Sequence, residues 1–207
     1  MELDSIFREI ISELDAFDET REKIMVLGRK GVRSCSEAIK KLHRKEDGAD
    51  ACVEDARLAL KNMLDIAAQV PTIHVESYFE GIYQEFVEAN LLQQILSGSQ
   101  ISKPSELDPP VPAVSYLGGL CDAIGELRRA VLDCIRDERF DDANRLFDTM
   151  EILHDHVNSL DYPNAVIPDI RHKSDVNRKL IHSTRSELTM AVHINRLSNK
   201  LTTLDKE

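Results

Sequence analysis

The sequence predicts an all-α protein, a single-domain antiparallel bundle of about seven helices. Apolar residues recur at the three- and four-residue steps of a helix along nearly the whole chain. Strand-like alternation of β-branched residues is hard to find, and Pro and Gly fall mostly between the periodic segments. Because short loops join these segments, neighbouring helices are expected to be antiparallel. We assign residues 1–207 to one helical domain.

Composition sets limits on the function. The chain has 207 residues, of which 42% are hydrophobic and 30% charged, as expected for a globular domain with a core. Its net charge of -11 and pI near 5.1 argue against non-specific coating of nucleic acid, but allow a local basic patch. No apolar run approaches the ~20 residues that span a bilayer, and the acid-rich start MELDSIFREI does not resemble a secretory signal. We expect a cytoplasmic protein without membrane contact.

The helices are predicted in chain order from their apolar stripes. We place them at 3–16, 19–45, 50–68, 74–97, 113–137, 139–159 and 172–203. The clearest loop covers 97–112, where Pro109, Pro110 and Pro112 cannot continue a helix. The last helix carries an apolar edge and is locally basic, through Arg171, Lys173, Arg178, Lys179, Arg185 and Arg196. Cys35, Cys52, Cys121 and Cys134 form no CxxC pair and are expected to be buried thiols.

A basic stripe lies on the second predicted helix, opposite its apolar face. It consists of Arg29, Lys30, Arg33, Lys40, Lys41 and Arg44. Such a stripe either contacts the backbone of a nucleic acid or is a solvated helix face. The sequence leaves both interpretations open.

Two acidic pairs stand out on helices that the proline-rich loop connects. Glu85 and Glu88 occur in YQEFVEANLL, and Asp122 and Glu126 in YLGGLCDAIGELRR. Residues three or four apart share a helix face, so antiparallel packing could bring the four carboxylates together. Like charges away from water raise each other's pKa, and a divalent cation with oxygen preference, Mg²⁺ or Mn²⁺, resolves the conflict. Carboxylate-bound Mg²⁺ is typical of phosphodiester hydrolysis.

Other interpretations of these residues remain open. Asp122 and Glu126 could pair with Arg128, Arg129 or a lysine of another helix. Arg129 could meet a substrate phosphate or neutralise the acids. A ferritin-like di-iron site is not favoured, because it needs Glu-x-x-His on two helices and the third residue after Glu85 is Glu88. The histidines of LHDHV are two residues apart and diverge on a helix, so they are not assigned to a site.

The two acidic motifs, in this order, resemble the translin family, and in particular the branch of translin-associated factor X, its nuclease subunit. The resemblance extends to REKIMVLGRKGVRSCSEAIKKLHR at 21–44 and DIRHKSDVNRKLIHSTRSELT at 169–189, and covers about residues 18–200. It implies helical subunits in a closed, barrel-like octamer or related oligomer, and a Mg²⁺-dependent endoribonuclease for single-stranded RNA. By motif, it places the metal on Glu85, Glu88, Asp122 and Glu126.

Two departures from the family pattern bear on partners. The loop at 98–112 is short compared with eukaryotic factor X, and no segment rich in His and Arg is present. Both departures fit a prokaryotic-type homo-oligomer that acts without a separate translin partner. The alternatives are a non-catalytic oligomer that binds single-stranded RNA or DNA, with the acids in interhelical ion pairs, and a plain helical scaffold.

Overall fold

The computed structural model describes residues 2–69 and 76–204, which form six helices and no strand. The all-α prediction is confirmed. The helices are α1 (Glu2–Arg44), α2 (Ala49–Ala68), α3 (Glu76–Ser97), α4 (Ala113–Arg136), α5 (Phe140–Asn158) and α6 (Ile170–Leu204).

The first two predicted helices, 3–16 and 19–45, are one continuous helix in the structure, α1. No Pro or Gly interrupts the chain between them. One side-chain contact crosses the expected break, since Thr20 Oγ1 donates to the carbonyl of Ala16 at 2.9 Å, and just after it Asp18 lies 2.7 Å from Arg21 and Glu19 2.7 Å from Lys23. Such pairs three and four residues apart support a helix locally. The count among the described residues is therefore six rather than seven.

The chain divides into two compact units. The first contains residues up to 93 together with 102–116. Its core includes Ile24 and Cys35 of α1, Leu60 and Met63 of α2, and Ile82 of α3, all nearly inaccessible to solvent. A Cβ added at Gly31 would collide with the side chain of Ile82, so the absence of a side chain there lets α1 and α3 pack closely.

The loop after α3 is tied to α2 within the same unit. Asp108 accepts a hydrogen bond from Arg57 at 2.7 Å and one from Lys61 at 2.6 Å. The proline-rich segment predicted as a loop at 97–112 carries no helix from residue 98 onward, and ion pairs at one acidic residue hold it.

The second unit contains residues 94–101 and 117–207. Cys121, Val157, Ile167 and Ile170 form a buried cluster in it, and Leu117, Leu120 and Leu160 pack against the cluster. Polar contacts join α4 to α6: the buried Asn177 donates to the carbonyl of Cys121 at 2.9 Å, and Arg128 donates to Thr184 at 2.6 Å. These contacts fix the register of α6 against α4.

Three of the four cysteines, Cys35, Cys121 and Cys134, are buried as expected, and Cys52 is partly exposed. Within the described ranges, no helix has the length and apolar character needed to cross a bilayer. The cytoplasmic location and the single domain over 1–207 stay predictions.

Candidate active site

The α3 acids lie at the edge of a buried helix face. Glu85 and Glu88 are half-buried, whereas Phe86 and Val87 between them are buried. The two acids are separated by one turn, about 60° around the helix axis. Their position allows the carboxylates to reach solvent while their stems pack against the core.

A buried thiol of α1 lies in the field of both α3 acids. Burial raises the pKa of Cys35, and the negative charges of Glu85 and Glu88 raise it further. Residues three apart share a helix face, so both acids lie on one side of α3, close enough to Cys35 for their charge to act on it. Their role as metal ligands stays a prediction.

The first α4 acid has a counter-charge from α6. The ammonium Nζ of Lys173 lies 2.5 Å from Oδ2 of Asp122 and also donates to the carbonyl of Gly118 at 3.3 Å. Both charges act on the neighbouring thiol of Cys121. Burial raises its pKa to about 11, the positive charge of Lys173 opposes this shift, and the negative charge of Asp122 adds to it.

The second α4 acid pairs within its own helix. Arg129 lies 3.8 Å from Glu126, at the long end of an ion pair, and its side chain is 53% exposed. Arg128 instead reaches α6, where it donates to Ser183, Thr184 and Glu187. Two of the predicted ion-pair alternatives are therefore present: Arg129 contacts Glu126, and a lysine of another helix contacts Asp122.

Sequence reasoning missed the place of Lys173 in this site. It recognised the residue only as part of a basic helix edge, because the register of α6 on α4 cannot be read from either helix alone. One signal was available in the α4 glycines, which predict a close approach to the backbone. The Lys173 ammonium makes that approach at Gly118, whereas a Cβ added at Gly125 would meet no atom within 4 Å.

The basic stripe divides into two parts by its contacts. At its C-terminal end, Lys40 lies 3.6 Å from Glu37, Lys41 donates to the carbonyl of Asp47, and Arg44 lies 3.9 Å from Glu46. At its N-terminal end, Arg29, Lys30 and Arg33 are exposed, and Arg33 Nε donates to the carbonyl of Arg29 at 3.2 Å. The N-terminal part is the better candidate for a phosphate contact.

Comparison with known proteins decides the family. The family model described as Translin family matches residues 2–183 of this chain. The chain belongs to the translin family. It is also 31% identical to an uncharacterized protein, MJ0175, of Methanocaldococcus jannaschii over 180 residues, which are 86% of this chain and 79% of that protein.

Solved structures resemble this translin-family chain over nearly its whole length. The crystal structure of AfC3PO is 28% identical with a TM-score of 0.69, and the likeness covers 95% of this chain and 100% of that one. The structure of an AfC3PO–duplex RNA complex is 27% identical with a TM-score of 0.69, covering 95% and 99%. Apo-NeC3PO has a TM-score of 0.77 at 20% identity, covering 91% and 96%, and supports the fold alone.

The acids of this translin-family chain suit Mg²⁺ or Mn²⁺ in their donor chemistry, because both ions prefer carboxylate oxygens. At Asp122 such an ion would compete with the ammonium of Lys173, 2.5 Å away. Within residues 2–69 and 76–204, no group of three or more His, Cys, Asp or Glu side chains is arranged to hold a metal ion. The convergence of the α3 and α4 pairs on one ion stays a prediction.

Proposed function

We propose that this protein is an RNA-binding homo-oligomer that cleaves single-stranded RNA by metal-assisted hydrolysis, with Mg²⁺ as the cofactor. The observation that carries the proposal is the α3 pair, Glu85 and Glu88, two half-buried acids one turn apart on one helix face of a translin-family chain. The solved complex of the similar AfC3PO with duplex RNA supports RNA as the ligand class.

In this proposal the four carboxylates bind the metal, and one of them also acts as the general base. Glu85, Glu88, Asp122 and Glu126 would hold Mg²⁺ directly or through water. The bound ion would supply an activated water and stabilise the charge that develops on the phosphate. One of the carboxylates would accept the proton of the attacking water as a general base. Mn²⁺ could replace Mg²⁺, because it shares the preference for oxygen ligands.

Basic residues position the substrate in this proposal. The exposed part of the α1 stripe and Arg129 of α4 would contact phosphates of the RNA strand, since guanidinium groups match phosphate oxygens in charge and geometry. Lys173 places a positive charge beside Asp122, where it orients that carboxylate and would attract an incoming phosphate. These contacts carry no base preference.

Assembly completes the proposal. We infer a closed homo-oligomer, an octamer as in the family that the sequence resembles, formed in the cytoplasm without a separate translin partner. Light scattering coupled to size-exclusion chromatography measures the subunit number directly. A monomer at micromolar concentration would contradict this part of the proposal and leave the chemistry of the acids to be tested by itself.

A second candidate, a non-catalytic binder of single-stranded nucleic acid, is favoured by one observation. Asp122 and Glu126 have basic partners in Lys173 and Arg129, as expected if the acids serve as ion pairs. A binder of this kind would retain RNA without cleaving it under any divalent metal.

The deciding experiment incubates the purified protein with labelled single-stranded RNA. Cleavage that needs Mg²⁺, stops with EDTA and disappears in Glu126→Ala supports the enzyme. Glu80→Gln is the matched control, because Glu80 is an exposed α3 acid that bonds to Gln84 and lies outside the proposed site. RNA retention without cleavage supports the binder, and circular dichroism of each variant excludes loss of fold.

A further inference from the structure

A groove of about 630 Å³ lies between α1 and α3, within the first unit. Met25, Gly28 and Val32 line it from α1, and Tyr78, Gly81 and Ile82 line it from α3. Its volume is within the ~300–1,000 Å³ of ordinary small-molecule sites. Its walls are mainly apolar and include one aromatic ring, as expected for a site that receives a planar group.

Glycine keeps this groove open on the α3 side. Gly81 lies in a helix interior, where glycine costs about 0.5–1 kcal/mol relative to alanine. A Cβ added at Gly81 would meet no atom within 4 Å, so neither packing nor backbone conformation requires glycine there. Any longer side chain at this position would enter or cover the groove.

Two guanidinium groups border the groove from α1. Arg29 and Arg33 both line it, are exposed, and stand four residues apart, hence on one face of the helix. In a chain of net charge -11, this local positive charge is complementary to an anion. Arginine pairs favour phosphate because their planar forks bind its oxygens.

The groove lies next to the proposed catalytic carboxylates on α3. Tyr78, Gly81, Glu85 and Glu88 follow one another at steps of three, four and three residues, which places them on one helix face. At 1.5 Å per residue, Gly81 precedes Glu85 by about 6 Å along the axis. A group in the groove would therefore sit about one turn from the acids.

We propose that this groove receives one unpaired nucleotide of the RNA strand, with the base against Tyr78 and Ile82 and a phosphate on Arg29 and Arg33. The adjoining phosphodiester is then directed toward Glu85 and Glu88. The inference rests on the proposed RNA-binding function and adds to it a subsite for the nucleotide beside the scissile bond. A base must leave its duplex to enter, so the subsite selects unpaired RNA.

The first test measures the affinity of the oligomer for labelled single-stranded RNA by fluorescence anisotropy in EDTA, where no cleavage occurs. Gly81→Leu fills the groove and should weaken binding at least about fivefold, the lower end of what one stacked base contributes. Ser97→Leu is the matched control: it places the same side chain at an exposed position near the C-terminal end of α3, outside the groove-lining set, and should leave affinity unchanged. Wild-type affinity in Gly81→Leu overturns the inference.

The arginines are tested by the salt dependence of the same binding. Replacing one phosphate-binding arginine lowers the slope of log affinity against log salt by about 1. Arg29→Gln combined with Arg33→Gln should therefore lower it by about two. Arg136→Gln, at an exposed arginine paired with Asp133, removes the same kind of charge elsewhere and should leave the slope unchanged. Equal slopes in the double variant and the wild type overturn the phosphate assignment.

Photocrosslinking on the unmodified chain gives a readout that does not depend on any variant folding. Single-stranded RNA carrying 4-thiouridine should form adducts on Tyr78 or Met25, mapped by mass spectrometry. Adducts found only outside the groove overturn the inference while RNA binding stands. A wild-type protein that binds no RNA at all refutes the proposed function itself, so the two failures are distinguishable.

Discussion

The two acidic pairs occupy different electrostatic surroundings, and a buried cysteine beside each pair reports the difference. Cys35 lies in the field of Glu85 and Glu88, which add to the effect of burial in raising its pKa. Cys121 lies beside Asp122 but also beside Lys173, and the ammonium partly offsets the rise in its pKa. Two pairs that look alike in the sequence are thus not equivalent in the fold.

The difference arises from which helix packs beside each pair. α6 supplies Lys173 to Asp122, and α1 places the Cys35 thiol in the field of Glu85 and Glu88. A divalent cation would therefore act differently on the two sides. At Asp122 it would have to compete with an ammonium group, and at Glu85 and Glu88 it would offset the negative charge that acts on Cys35.

The largest expected effect is on catalysis, and it tests whether both pairs belong to one site. Glu85→Gln and Glu126→Gln should each lower Mg²⁺-dependent RNA cleavage by at least about a hundredfold, since each removes a negative charge required for metal binding or proton transfer. Steady-state cleavage of labelled RNA measures this, with Glu80→Gln as the control. Full activity in one variant and none in the other would confine the site to a single helix.

At alkaline pH, ionisation of the Cys121 thiol of α4 should lower the free energy of unfolding. In the unfolded chain the Cys121 thiol ionises near its ordinary pKa of 9.0, and in the folded chain near 11. Between these values the unfolded state binds fewer protons, so stability falls as pH rises, by roughly 2–3 kcal/mol in all. Below about pH 9 this group contributes no slope.

Urea denaturation of the wild type and Cys121→Ala across this pH range isolates the contribution, because other alkaline titrations are common to both proteins. The wild type should lose more stability between pH 9 and 11 than the variant. The difference in the free energy of unfolding between Cys35→Ala and the wild type should keep changing to higher pH, because the pKa of Cys35 is raised further. Parallel curves for all three proteins would contradict the contrast between the two thiols.

Removing the positive charge of Lys173 should make metal binding at Asp122 easier. Lys173→Met takes away the ammonium that competes for Asp122, so the Mg²⁺ concentration for half-maximal cleavage should fall several-fold. Stability should change by no more than about 1 kcal/mol, because the pair is partly exposed. Arg178→Met is the control: Arg178 pairs with Asp175 on α6. A higher Mg²⁺ requirement in Lys173→Met would show that the lysine assists metal binding.

The smallest effect concerns Arg129, for which the sequence left two roles open. Its long contact with Glu126 and its exposure leave the guanidinium accessible to a phosphate, so Arg129→Gln should lower the salt slope of RNA binding by about one. An unchanged slope, together with a shifted Mg²⁺ requirement, would assign Arg129 to neutralising Glu126 instead.

Most of the helical fold could be predicted from the sequence because its signals are local. The α4 helix was expected at 113–137 and occurs at Ala113–Arg136, since apolar spacing and the preceding prolines act within a few residues. The helix boundary expected near residue 17 was wrong, because no local signal there ends a helix. No Pro or Gly was present there, so one helix continues through the expected boundary.

The four acids were found from sequence, but Lys173 was not identified as the partner of Asp122. Spacing along one helix shows that Asp122 and Glu126 share a face. It gives no information about the rotation and axial position of α6, which determine that Lys173 rather than Arg128 contacts Asp122. The groove between α1 and α3 was missed because an open volume depends on two helices at once.

The sequence by itself determined the helices, the buried thiols and the four candidate carboxylates, because periodicity and side-chain chemistry are properties of short segments. Only the tertiary structure decided which charge stands beside each carboxylate and where a groove opens. Those features depend on the register of helices that are distant in the chain, and Coulomb and packing energies change over a few ångströms of such displacement.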